Sequence, residues 1–203
     1  AEHINDINGD VVTLFQVMRD DDQRERLCEL IDLTPWSQIE YQNCWPADAV
    51  DDPVERARRF LVRSWQGVGG MQNGFTGWRL QRDDGWCPRL WRKMPLRLRS
   101  VAQRMRDVHI HQKDCVEMVR RFADIEDLVY FIDPPYPEET LNTQRQQPYS
   151  VSMSSDEHQA FAEALLSIKG KAVLTMNPGT VYDDVLSDWR RRELPVRGLR
   201  NTT

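Results

Sequence analysis

Residues Leu128-Val129-Tyr130-Phe131-Ile132 run without a polar break into Asp133-Pro134-Pro135-Tyr136. This stretch constrains the chain more than any other. Five aliphatic and aromatic residues without alternation predict a strand buried on both faces of a parallel sheet. Two prolines must end it, because neither can donate to a ladder. Asp133 and Tyr136 are then delivered to the carboxyl end of a central strand, where open α/β sheets place their ligands.

The rest of the chain is compatible with such a body. Its 203 residues suffice for one domain with an inserted subdomain. Charged residues at 29% and hydrophobic residues at 40% describe a globular chain. No apolar run approaches the roughly 18 residues of a membrane span. Ala1-Glu2-His3-Ile4-Asn5-Asp6 does not resemble a signal peptide. Cys28, Cys44, Cys87 and Cys115 show no Cys-x-x-Cys pairing, which predicts reduced thiols in a cytoplasmic protein and argues against structural zinc.

The net charge of −5 hides an asymmetry. Between Pro53 and Arg106 lie 13 Arg and Lys against Glu55, Asp83 and Asp84, leaving about −15 for the remainder. One basic block inside an acidic protein predicts a polyanion partner for the block. A solvated cap with a small tryptophan core is the plainer alternative.

Taken in order, residues 2–5 predict a short strand. From Asp10, a plausible N-cap, Val11, Val12, Leu14, Phe15, Val17 and Met18 form a helical face. Asp20-Asp21-Asp22 and the charges up to Glu29 are solvated helix surface or a break. Thr34-Pro35-Trp36-Ser37 starts a new segment with Pro35 at a first helical position, and Asp51-Asp52-Pro53 starts another. Residues 65–91, with six of the ten glycines, predict loop and hairpin. A helix around Leu96–Met105 follows, then a strand at Val108-His109-Ile110, a helix over Val116–Phe122, and the strand 128–132. Ser155 or Asp156 caps a helix reaching Ile168, which Gly170 ends. Ala172–Thr175 is a strand, Val181–Trp189 a helix and Glu193–Val196 a last strand. The alternation predicts a layered, parallel α/β body at 1–52 and 107–203, with 53–106 inserted.

The chemistry open to Asp133-Pro134-Pro135-Tyr136 follows from its functional groups. An amino nitrogen conjugated to a heterocycle is a weak nucleophile. A carboxylate and a carbonyl that both accept its hydrogens favour a more tetrahedral, more reactive nitrogen. Asp133 and the Pro134 carbonyl can be those acceptors, Pro135 stiffens the turn, and Tyr136 offers a face for stacking. A base so held must first leave its duplex. The plainer reading is a strand that happens to end in a proline turn. His109 and His111, two residues apart on a strand, could bind metal, but with no third ligand in view ordinary packing is the expectation.

On these residues the chain resembles the Dam-like family of DNA N6-adenine methyltransferases, in the short form common in phages. Besides Asp133-Pro134-Pro135-Tyr136, the opening Asn5-Asp6-Ile7-Asn8-Gly9-Asp10 resembles the family's second cofactor motif. Arg63-Ser64-Trp65-Gln66-Gly67-Val68-Gly69-Gly70 resembles its target-recognition region, and the run from Tyr149 through His158 and Tyr182 to Trp189 follows its pattern. The resemblance implies a Rossmann-like methyltransferase sheet and S-adenosylmethionine as methyl donor. It further implies that Asp6 meets the cofactor's ribose hydroxyls and that Asp114 lies near its adenine. On residues alone, Asp6 reads first as a turn or cap residue, and Asp114 is equally a helix cap.

The implied partner is double-stranded DNA, with Arg63, Gln66, Asn73 and Arg79 as candidate base or phosphate contacts. A cognate restriction nuclease is a further expected partner, and the chain is expected to act as a monomer. In the family a Phe-x-Gly-x-Gly loop precedes the Asn-Asp-x-Asn segment, and this sequence begins at Ala1 without one. A fragment with weakened cofactor affinity is therefore expected, and a catalytically silent DNA-binding remnant or an RNA adenine methyltransferase are the alternatives.

Overall fold

The computed structural model describes residues 1–45, 50–68, 77–80, 86–140 and 151–194. The chain is mixed α/β, with two small parallel sheets and nine helices among these residues.

The first half begins with strand β1 (Glu2–Asn5), followed by α1 (Gly9–Arg19), α2 (Asp21–Leu33) and α3 (Gln38–Asn43). The cap of α1 is Asn8 rather than Asp10, since the Asn8 side chain accepts from the Asp10 N–H at 2.9 Å. That leaves the Asp10 carboxylate for another task described below. The chain breaks at Asp20, which is extended between α1 and α2, and Asp21 and Asp22 are exposed helix surface beyond it. Asp20 caps α2 by accepting from Gln23 N–H, and Asp21 and Asp22 sit in the first turn, where carboxylates oppose the helix dipole favourably. Pro35 precedes α3 instead of entering it, and Ser37 is the cap.

Helix α4 (Pro53–Gln66) starts as expected, with Asp52 as cap and Pro53 in the first turn. α5 (Trp86–Trp91) and α6 (Met94–Arg104) follow. Residues 86–91, expected as loop, are therefore helical, while the hairpin expectation survives as one antiparallel bridge, Gly67 to Trp78. Leu27, Ile31, Tyr41, Val54, Val62, Trp91, Met94 and Leu98 belong to one buried cluster. Burial of each large aliphatic side chain contributes about 1.5–3 kcal/mol. The described helices of the block 53–106 share this core: α4 packs on α1 and α2, and α6 on α2, through the one cluster.

Strand β2 (Val108–His111) pairs in parallel with β1, from Glu2 opposite Val108 to Asn5 opposite His111. After α7 (Cys115–Phe122), strand β3 (Val129–Ile132) pairs in parallel with β4 (Lys171–Leu174), from Val129 opposite Lys171 to Ile132 opposite Leu174. Between them in sequence lie a 3-10 turn at Glu138–Thr140 and α8 (Ser155–Leu165); α9 (Val181–Val185) follows β4. The cap of α8 is Ser154, which forms a reciprocal capping box with Glu157. Glu193 and Leu194 are not in a strand, and the rest of that expected strand lies outside the described residues.

The expectation that residues 128–132 are buried on both faces is corrected. Ile132 and Leu174 pack on the cluster of Val119, Phe161, Leu165 and Tyr182. On the opposite face Val129, Phe131 and Val173 are 67%, 76% and 55% exposed. The uninterrupted apolar run misled because period-2 alternation decides which face a side chain takes, whatever its polarity. Helices cover one face of this pair, and no described element covers the other. Gly170 sets the approach to β4: a Cβ there would lie 2.3 Å from the Leu128 carbonyl oxygen, so only glycine lets the two segments come together.

Candidate functional site

Asp133 follows β3 directly and is exposed, while Pro134, Pro135 and Tyr136 are half-buried and Pro137 is buried. The turn is held by the neighbouring strand end. Thr175 Oγ1, one residue past β4, donates to Asp133 Oδ1 at 2.5 Å, and its N–H donates to the Ile132 carbonyl at 3.0 Å. Two residues on, Asn177 Nδ2 donates to Thr140 Oγ1 at 3.1 Å, and that hydroxyl donates to the Pro137 carbonyl at 2.8 Å. The carboxyl ends of β3 and β4 are thereby tied into one polar rim. One Asp133 oxygen is fixed, which orients the carboxylate and leaves the second oxygen able to accept from a ligand. The sequence signalled Asp133 through its motif, but Thr175 and Asn177 are not among the expected site residues. Their signal was available, because they end the strand predicted to neighbour 128–132.

The other pair carries its candidates at the same ends. Asp6 follows β1, half-buried, and its Oδ1 accepts from the Asn8 N–H at 2.8 Å. Asn5 pins the segment after β2, accepting from Lys113 N–H and donating to the Lys113 carbonyl, both at 2.9 Å. Asp114 Oδ1 accepts from Val116 and Glu117 N–H at 2.9 and 3.1 Å, so Asp114 is the N-cap of α7. Asp6 and Asp114 thus lie at the carboxyl ends of adjacent strands, each with one oxygen engaged by backbone.

His3 on β1 joins His109 and His111 on β2 in a stack. Ring centroids are 4.7 and 5.2 Å from His3, its Nδ1 lies 2.9 Å from His111 Nε2, and Phe122 of α7 packs against His3 at 4.8 Å. Burial first, and the two neighbouring imidazoles next, hold His3 below its usual pKa. Among the described residues no group of three His, Cys, Asp or Glu is placed to hold a metal ion.

In the basic block the placement departs from expectation. Arg63 is 1% exposed. Its guanidinium bonds Asp10 Oδ2 at 2.6 Å and the Cys44 carbonyl at 3.2 Å, and it lies over the Trp45 ring. Gln66 is fully buried, accepting from Ser37 N–H and donating to the Pro35 carbonyl, both at 3.0 Å. Both are internal joints, which corrects their assignment to a DNA-facing surface. Arg79 is half-buried, bonded through its backbone to Gln66 and Trp36, and Asn73 lies outside the described residues.

Much of the charge on α4 is neutralised inside the protein. Arg56 pairs with Asp10, Arg58 with Glu40 and Glu55, and Arg59 with Glu55. Exposed cations of the block include Arg89, Arg92, Lys93, Arg97 and Arg106, while exposed Arg99 and Arg104 pair with Glu25 and Glu2. Arg97 also lies over the Trp65 ring. Helical spacing could have found them: Met94, Leu98, Ala102 and Met105 turn inward, so Lys93 and Arg97 turn out.

The four cysteines are not joined in disulfides, and burial pushes the Cys44 and Cys115 thiols up to about 11. They are packing residues, not nucleophiles. Among the described residues no helix is long and apolar enough to cross a membrane. No protein-family model matches the chain, and no curated protein aligns with it as a relative.

Proposed function

We propose that this chain is built for methyl transfer from S-adenosylmethionine to the N6 nitrogen of adenine in double-stranded DNA. The observation that carries the reading is the Asp133-Pro134-Pro135-Tyr136 turn at the carboxyl end of a parallel strand, with Thr175 orienting the Asp133 carboxylate. In this reading the adenine leaves its stack. Asp133 and the Pro134 carbonyl accept its two amino hydrogens, and Tyr136 stacks on the ring. Holding the hydrogens in this way raises nitrogen nucleophilicity where positive charge develops, the differential stabilisation that catalysis requires.

S-adenosylmethionine would supply an activated methyl group. Asp6 fits its ribose, because one carboxylate oxygen is fixed by the Asn8 N–H and the other can accept from a diol. Asp114 fits less well, since its cap bonds serve α7. Among the described residues of the basic block, Arg89, Arg92, Lys93, Arg97 and Arg106 are open to a phosphate backbone.

The test is transfer of labelled methyl from S-adenosylmethionine to duplex DNA, with the matching RNA offered in parallel. Incorporation into DNA that Asp133→Ala abolishes supports the reading, and an Asp133→Ala variant as active as the parent overturns the mechanism. A second reading is favoured by one observation: the described strands form two separate ladders instead of one continuous sheet. It holds that the chain binds DNA without transferring methyl, and it predicts salt-sensitive DNA binding with no incorporation.

A further inference from the structure

Beyond the motif turn lies a cavity of about 500 Å³ that none of the roles above uses. It is lined by Glu138 and Glu139 of the 3-10 turn, by Ser152 and Ser154 before α8, and by Glu157 and His158 on its first turns. His158 is 2% exposed. Its Nδ1 lies 2.9 Å from the Tyr182 hydroxyl, and its Nε2 is buried with no hydrogen-bond partner among the described residues.

The tautomer follows from the partners. Burial pushes the His158 imidazole below its usual pKa and the Tyr182 phenol well above its own, so both groups are neutral. The Tyr182 hydroxyl has no other acceptor among the described residues, so it donates to Nδ1. The proton of His158 therefore sits on Nε2. A buried N–H without an acceptor is rare in folded proteins and calls for one.

Around this donor the wall is acidic. Glu157 is occupied with the Ser154 cap, while Glu139, exposed on its turn, acts electrostatically on the His158 ring. Carboxylates disfavour a phosphate here and favour a neutral group that donates. A ligand that suits both sides presents an acceptor oxygen beside two N–H donors. The guanine edge has this pattern, with O6 beside N1–H and the N2 amino group.

We propose that this cavity is a pocket for a guanine edge, in which His158 Nε2–H donates to O6 and the Glu139 carboxylate accepts from N1–H and the amino group. Its relevance to DNA rests on the reading under "Proposed function"; the pocket's chemistry does not. It would hold a second base of the bound strand beside the adenine clamp.

The experiment uses the whole chain with 15N-labelled histidine and free guanosine, inosine and adenosine as probes. Guanosine should shift the His158 Nε2 resonance. Inosine, which lacks the amino group, should bind at least fivefold more weakly, and adenosine more weakly still. Glu139→Gln, an exposed substitution that leaves the core untouched, should weaken guanosine at least fivefold, whereas Asp133→Ala should leave guanosine binding unchanged. No His158 response up to the solubility limit, equal binding of adenosine and guanosine, or an unaffected Glu139→Gln variant would each overturn the pocket. Guanosine binding lost in Asp133→Ala would overturn it too, by moving the nucleoside to the clamp. Absence of methyl transfer with guanosine binding intact would count against the clamp alone.

Discussion

The helical half and the β3–β4 half of this molecule treat charge and apolar surface in opposite ways. Around α1, α2, α4 and α6 the core is closed, and a guanidinium is taken into it: Arg63 sits beside Asp10, both side chains largely hidden from water. At β3–β4 the polar groups stay on an accessible rim, while Phe131, Val129 and Val173 face outward. The first half ties its buried polar groups to one another, Arg63 to Asp10 and the Cys44 carbonyl and Gln66 to Ser37 and Pro35. The second keeps reactive groups at strand ends and leaves an apolar face without a cover among the described elements. If the proposed clamp is the site, stability and function separate along the chain, and substitutions should sort accordingly.

The largest effect is expected at Arg63. Arg63→Met removes the buried donor from Asp10 Oδ2 and the Cys44 carbonyl, leaving Arg56 as the Asp10 partner, and should cost about 3 kcal/mol by urea unfolding. A paired Arg63→Met/Asp10→Leu variant should recover much of it. Recovery failing in the double variant would mean that packing of Arg63 on Trp45, not charge, holds this joint.

Next comes Gly170→Ala. Its methyl group would meet the Leu128 carbonyl, and about 1–3 kcal/mol should be lost. An unchanged unfolding midpoint would mean that the β3–β4 pair is not held as closely as described.

The histidine stack sets a pH dependence. The folded-state pKa of His3 is lowered, so the unfolded chain binds protons more readily than the folded one as pH falls through the unfolded value of 6.5. Stability should be complete above that value and decline between about pH 7 and 5. The N-terminal amino group, His109, His111 and Arg121 all oppose a charge on His3, and buried His158 adds a decline of the same sign. Urea midpoints measured across this range should show a shallower slope in His3→Asn. A slope as steep as the parent's would assign the decline to His158 instead.

The smallest change in stability is expected at Phe131→Ser, within about 0.5 kcal/mol, because the ring is already in water. A loss near that of a buried phenylalanine, about 3–5 kcal/mol, would show that something covers this face in solution.

How much of this was legible depended on whether the decisive interaction was local. The four strands, the start of α4 at Asp52-Pro53, and the placement of Asp133 followed from runs and caps, which are short-range. Capping residues were misplaced by one or two positions, Asn8 for Asp10 and Ser154 for Ser155, because neighbouring polar residues compete for the same N–H groups. The basic block was legible as charge but not as surface. Nothing near Arg63 in sequence announces that its counter-charge is Asp10, 53 residues away. Thr175 likewise reaches Asp133 across 42 residues, through a strand pairing that no local pattern specifies. The bare face of β3 was hidden by a different cause, since apolar residues on both faces look identical whether or not a layer covers them.

The central claim is that Asp133 to Tyr136 hold an adenine amino group for methylation. Its most direct measurement is the identity of the modified nucleoside in duplex DNA incubated with the protein and S-adenosylmethionine, digested and resolved by mass spectrometry. The account predicts N6-methyldeoxyadenosine with the parent chain, and at least 100-fold less with Asp133→Ala, roughly the loss expected when a group stabilising developing charge is removed. Methylated cytosine in its place, or N6-methyldeoxyadenosine undiminished in Asp133→Ala, would contradict it.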